Sequence, residues 1–141
     1  MSQTYDRELT LIEVICESMA SSRRLTDSQR VRLEERFGDR LKNALELVEK
    51  QSVHRFNFKP SGRIIWTVKG RKGVYQVIPD TNFCNCDDYY FRVMDGKREL
   101  CYHIIAQKIA SALGEYETSD LLDTQYGKIT QQWRANLEPT T

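Results

Sequence analysis

Three of the chain's four cysteines and one of its two histidines fall within twenty residues, as Cys84-Asn85-Cys86, fourteen intervening residues, and then Cys101-Tyr102-His103. Paired soft donors at this spacing suit a tetrahedral metal site, in which zinc takes sulfur at ~2.3 Å and imidazole nitrogen at ~2.0–2.1 Å. Residues i and i+2 of an extended segment point the same way, so Cys84 and Cys86 can face one ion. In a helix, residues i and i+2 sit ~200° apart. Cys101 and His103 therefore cannot both lie inside one. The pattern predicts Cys101 just before a helix and His103 in its first turn, with the positive helix N-terminus turned toward the thiolates. Four protein ligands leave no open position for water, which fits a structural ion rather than zinc hydrolysis. Three thiolates, a neutral imidazole and Zn²⁺ leave one net negative charge, which Arg92, Lys97 and Arg98 in the intervening loop are placed to offset.

The compartment agrees with metal chemistry. The first residues, Met1 to Glu8, lack a basic n-region and an apolar h-region. No apolar run approaches the ~18 residues that a membrane span needs. Both observations predict a protein of the cytosol or nucleus, where disulfides are rare and clustered cysteines serve metals or redox chemistry. Cys16 stands apart on a helical apolar stripe and reads as a small core residue. His54, alone at a strand start, is left out of a ligand set that is already complete.

Along the 141 residues the pattern changes from helix to strand and back, which predicts an α+β fold in three regions. Residues 1–52 read as an N-terminal helical region. Leu9, Ile12, Cys16 and Met19 recur at helical spacing, widened by Leu11, Val14 and Ile15. Thr26 with Gln29 is a capping box for a second helix carrying Val31, Leu33 and Phe37. Gly38 stops it, and Asp39 is a candidate N-cap for a third helix through Leu41, Ala44, Leu45 and Val48. Residues 53–113 read as a three-stranded antiparallel meander followed by the zinc finger. Its strands are Val53 to Phe58, Arg63 to Val68 and Val74 to Ile78, separated by turns at Pro60-Ser61-Gly62 and Lys69 to Gly73. A short helix is expected from Asp87 to Met94, and another from Tyr102 to Leu113, stopped by Gly114. Residues 114–141 read as a C-terminal helical tail, with Leu122, Tyr126, Ile129, Trp133 and Leu137 on one stripe from Ser119 onward.

Charge is uneven. The chain is 40% hydrophobic and 29% charged, with a net charge of only +1. Seven bases and no acid lie between Lys50 and Pro79, and the rest carries 14 bases against 20 acids. Such asymmetry marks a candidate surface for polyanions. Arg63, Lys69, Arg71 and Lys72 sit on turns and are the candidate nucleic-acid contacts. Trp66 and Tyr75 either stack on bases or pack inward. The sequence holds no phosphate-binding glycine loop, no HExxH, no nucleophile elbow and no deaminase signature, so an enzyme is not expected.

The C-x-C…C-x-H spacing after strands resembles the SWIM zinc-finger class. The whole chain resembles the small SWIM-domain subunits of the Shu complex, the family related to human zinc finger SWIM domain-containing protein seven. The matching stretches are residues 44–52 (Ala-Leu-Glu-Leu-Val-Glu-Lys-Gln-Ser), Pro60-Ser61-Gly62-Arg63, Phe83-Cys84-Asn85-Cys86 and Leu100-Cys101-Tyr102-His103. Relatives often carry a base between the last cysteine and the histidine, where this chain has Tyr102. The resemblance implies a nuclear, non-catalytic zinc-binding adaptor for homologous recombination in DNA repair. It also implies a heterodimer with a RecA-type recombinase paralogue that promotes recombinase filaments on single-stranded DNA; the low net charge predicts that DNA is met mainly through the complex. SWIM modules also occur in transposases, so the alternative is an autonomous DNA-binding zinc-finger module of a transposase- or transcription-related protein.

Overall fold

The computed structural model describes residues 4–70, 73–86, 89 and 100–135. Three helices open the chain: α1 (Thr4–Ser22), α2 (Asp27–Phe37) and α3 (Asp39–Glu49). The capping box starts α2 as expected, because the Thr26 hydroxyl accepts from Gln29 N–H at 3.2 Å and the Gln29 side-chain oxygen accepts from Thr26 N–H at 3.0 Å. A single residue separates α2 from α3. Gly38 fills it at φ 59°, donating its N–H to Glu34 O and serving as N-cap of the next helix. Asp39, expected as that N-cap, is instead the first helical residue, where its carboxylate faces the positive end of the helix.

The predicted meander is present as β1 (Val53–Lys59), β2 (Ile64–Lys69) and β3 (Val74–Ile78). Its antiparallel register pairs Val53 with Val68, Phe56 with Ile65, and Trp66 with Val77. It forms the centre of a larger mixed sheet. A two-residue strand, β4 (Phe83–Cys84), joins β3, and β5 (Glu117–Leu122) runs parallel to β1, giving the order β4-β3-β2-β1-β5.

Side chains alternate across the sheet. Val53, Trp66, Val68, Tyr75 and Val77 turn toward one core, shared with α1, α3 and α4 (Tyr102–Leu113). Phe56, Phe58, Ile65 and Val74 turn toward the other, under α5 (Tyr126–Ala135). Trp66 and Tyr75 thus pack inward, Trp66 edge-on against Tyr116 at 4.8 Å. Helix α4 is apolar nearly all round, and Ile104, Ile105, Ala106, Ile109 and Ala110 are all buried, as befits a central helix. It ends at Gly114, where φ is 74° and a Cβ would run into the Arg23 guanidinium.

The tail departs from expectation. Residues 117–122 form a strand, and the helix begins only at Tyr126. The chain gains a full parallel ladder on β1, and Leu121 faces the Phe58 cluster. A 3₁₀ turn at Asp123–Gln125 follows, with the Gln125 side chain accepting from Leu122 N–H at 2.8 Å. Leu122 therefore leaves the helical stripe, and Leu137 lies outside the described residues, as do most of the expected 87–94 helix and the loop bases Arg92, Lys97 and Arg98. Tyr126, Ile129 and Trp133 keep the stripe and bury it against the sheet. On α1, Ile12, Ile15 and Met19 are core residues while Val14 is 56% exposed. Cys16 is half-buried with its thiol 3.6 Å from Lys108 O, and burial pushes the thiol up to about 11. It is a packing residue, not a reactive one.

One polar group ties the helical layer together. Arg40 of α3 makes a bidentate pair with Glu8 of α1, at 3.2 and 2.7 Å, and donates at 2.7 Å to the carbonyl of Leu100. Both side chains are buried, and the guanidinium lies over the Phe37 ring. Arg40→Ala removes the bidentate partner of the buried Glu8 carboxylate, so it should cost about 3–5 kcal/mol. An Arg40→Met, Glu8→Leu double variant should recover most of that loss in urea unfolding of the zinc-loaded protein.

Candidate metal centre

The four ligand candidates arrive from two elements. Cys84 is the second residue of β4, paired with Val77 of β3, and Cys86 follows two residues on. Between them Asn85 points the other way and clips the turn to β3. Its side-chain oxygen accepts from Gln76 N–H at 2.9 Å, and its own N–H donates to Gln76 O at 3.4 Å. Cys101 is the N-cap of α4, in extended conformation at φ −88° and ψ 166°, and His103 lies in the first turn. The i, i+2 constraint is met as expected, with one member outside the helix and one inside. Arg40, through the Leu100 carbonyl, fixes the residue immediately before Cys101.

These four side chains are all buried, and their ligand atoms lie within 4.8 Å of one another. A zinc tetrahedron with sulfurs at ~2.3 Å sets them about 3.8 Å apart, which this cluster can meet with little movement. No disulfide joins the cysteines. Tyr89 N–H donates to Cys86 Sγ at 3.3 Å, a hydrogen bond that favours the thiolate.

The imidazole supplies the sharpest test of fit. Both ring nitrogens of His103 are buried, and neither has a hydrogen-bond partner. Such a group is costly unless a nitrogen binds something else. A metal bond satisfies it. Tyr75 and Tyr102 hold the ring on two sides, with centroids at 4.5 and 4.2 Å. Gly70 makes room for this packing. A Cβ there would sit 2.6 Å from the Tyr75 ring and 3.1 Å from His103 Nε2.

Electrostatics point the same way. Hydrogen bonds to Cys101 and Cys86, then burial, push the Cys84 thiol far up. Burial comes first in raising Cys101. Cys86 is driven far down by the hydrogen bonds it accepts from Cys101 and Cys84. A divalent cation would favour the thiolate form of all three, and a set of three sulfurs and one imidazole suits zinc. Bound there, zinc would be a structural crosslink between β4 and the start of α4, with no coordination position left for a reaction.

The candidate nucleic-acid residues are not gathered in the same way. Arg63 and Lys69 flank β2 at opposite ends. Arg63 is exposed with its guanidinium 4.4 Å from the Tyr126 ring centroid, and Lys69 lines a groove with Lys50 and Tyr102. Arg71 and Lys72 lie outside the described residues. Sequence reasoning did not find Arg40, Asn85 or Gly70. Gly70 carried only the signal of a glycine in a turn.

A Cys₃His centre with its first pair at the end of a sheet strand and its second at a helix entry defines a zinc-finger protein of the SWIM type. Curated relatives carry the same name. Zinc finger SWIM domain-containing protein 7 of Danio rerio is 30% identical over 95 residues, covering 66% of this chain and 67% of the relative. The Homo sapiens protein of that name is 26% identical over 121 residues, 84% of this chain and 86% of its own length. Its Dictyostelium discoideum homologue is 28% identical over 85 residues, 59% of this chain, and the match spans about half (54%) of that relative. No family profile and no solved structure matches. The chain belongs to the zinc finger SWIM domain-containing protein 7 family.

His103→Ala should abolish stoichiometric zinc and expose the segment from Phe83 to Leu113 to hydrogen exchange. Gly70→Ala retains all four ligands yet should weaken zinc binding about 10–100-fold, as loss of ligand support does elsewhere, measured by competition with a chromophoric chelator. Chelation should open Cys84, Cys86 and Cys101 to alkylation while Cys16 stays slow, read by mass spectrometry.

Proposed function

We propose that this chain is a non-catalytic, nuclear adaptor that pairs with a RecA-type recombinase paralogue and promotes recombinase filaments on single-stranded DNA during homologous recombination. The observation that carries it is the closed Cys84, Cys86, Cys101 and His103 set, which spends every zinc position on protein ligands. Such a centre builds a shape rather than performing a reaction. The sequence resemblance to small SWIM-domain subunits, which extends into the third helix at residues 44–52, supports the recombination role. The net charge of +1 supports contact with DNA through a complex rather than by the chain alone.

Affinity purification of the tagged protein from its own cells, with quantitative mass spectrometry, should recover a RecA-type ATPase paralogue in near-equal amount. The isolated chain should bind single-stranded DNA weakly, and the complex more tightly with a steep salt dependence. Recovery of the chain alone, together with tight salt-dependent DNA binding by the isolated protein, would favour an autonomous DNA-binding finger instead.

A further inference from the structure

Strand β5 lies at the edge of the sheet. It pairs with β1 over six residues on its inner side, and among the described residues no strand pairs with its outer side. An open edge presents unpaired N–H and C=O groups to any extended chain. Proteins guard such edges with charged side chains, lysine above all, with proline, or by keeping the strand very short. The opposite edge, β4, is only two residues long. Edge β5 runs for six residues, Glu-Thr-Ser-Asp-Leu-Leu, without lysine or proline, and its charged residues, Glu117 and Asp120, are of one sign, so they repel another acidic strand but not a basic one.

Its charge is one-sided. From Gly114 to Gly127 there are four acids (Glu115, Glu117, Asp120 and Asp123) and no lysine or arginine. Inward contacts use some of this charge: Asp120 accepts from Asn57 and lies 3.9 Å from Lys59, and Asp123 accepts from Ser61. Lys59 beside Asp120 and His54 at 3.7 Å from Glu117 offset only part of four carboxylates, which leaves the strip negative. Thr118, Asp120 and Leu122 are all exposed on one face of the strand, Leu122 at 59%.

We propose that β5 is a docking edge for an extended, lysine- and arginine-rich segment of a partner protein, which adds to the sheet as a sixth strand. Backbone hydrogen bonds supply the pairing, and alternate side chains supply the selection. A basic residue meets Asp120 and an apolar one meets Leu122. A second copy of this chain would set two acidic strips against each other, and a nucleic acid would meet like charge, so neither is the occupant. This deepens the adaptor role proposed above and rests on it only for the source of the strand.

The test uses the full zinc-loaded chain and two synthetic peptides of equal length, alternating valine with lysine or valine with glutamate. The lysine peptide should slow amide exchange within residues 117–122 by about tenfold or more, with protection that saturates and weakens in salt, while the glutamate peptide gives none. Equal protection by both peptides, none by either, or protection from self-association alone overturns the proposal. An Asp120→Lys, Leu122→Lys variant that keeps its zinc and its circular dichroism spectrum should lose both the peptide effect and the co-purified recombinase paralogue. Retention of that partner by the variant overturns the docking edge and leaves the adaptor role standing. If the wild-type chain recovers no such partner, the adaptor role fails, and the peptide measurement still judges the edge.

Discussion

Three sulfurs and one imidazole crowd into one buried volume, their ligand atoms within 4.8 Å of one another. Hydrogen bonding and burial push the Cys84 thiol up, burial pushes Cys101 up, and the hydrogen bonds that Cys86 accepts push it down. His103 brings two buried ring nitrogens with no hydrogen-bond partner. Zinc held by these four residues would favour the thiolates and satisfy an imidazole nitrogen, and would tie the end of the sheet to the first turn of the central helix. Helices α1 and α3 and strand β2 all pack on α4, the helix whose first turn carries His103.

The supports around the centre come from distant parts of the sequence. Arg40 bridges Glu8 and the Leu100 carbonyl, so the two N-terminal helices reach the residue next to Cys101. Asn85 pins the first ligand pair to β3, and Gly70 lets Tyr75 approach the imidazole. Ligand orientation is therefore a property of the whole fold as well as of the four-residue motif.

Local geometry explains what could be read from the sequence. The ligand set was legible because i, i+2 spacing has only one meaning in a strand and another at a helix start. The Thr26–Gln29 box and the Gly114 stop were legible because each is a contact within one turn. Strand β5 was not. Residues 117–122 lack clean alternation, and Leu122 falls four residues before Tyr126, mimicking a helical stripe. Their pairing with β1 spans more than sixty residues, and only tertiary contact decides it. The Glu8–Arg40 pair was hidden for the same reason. Nothing in two ordinary charged residues 32 positions apart announces that both will be buried.

The central claim is that Cys84, Cys86, Cys101 and His103 share one tetrahedral zinc. X-ray absorption at the zinc edge of the native, untagged protein measures this most directly. The account predicts one zinc per chain in a shell of three sulfurs at ~2.3 Å and one nitrogen at ~2.0–2.1 Å. A shell dominated by oxygen or nitrogen, or a metal content well below one per chain with all thiols reduced, would contradict it.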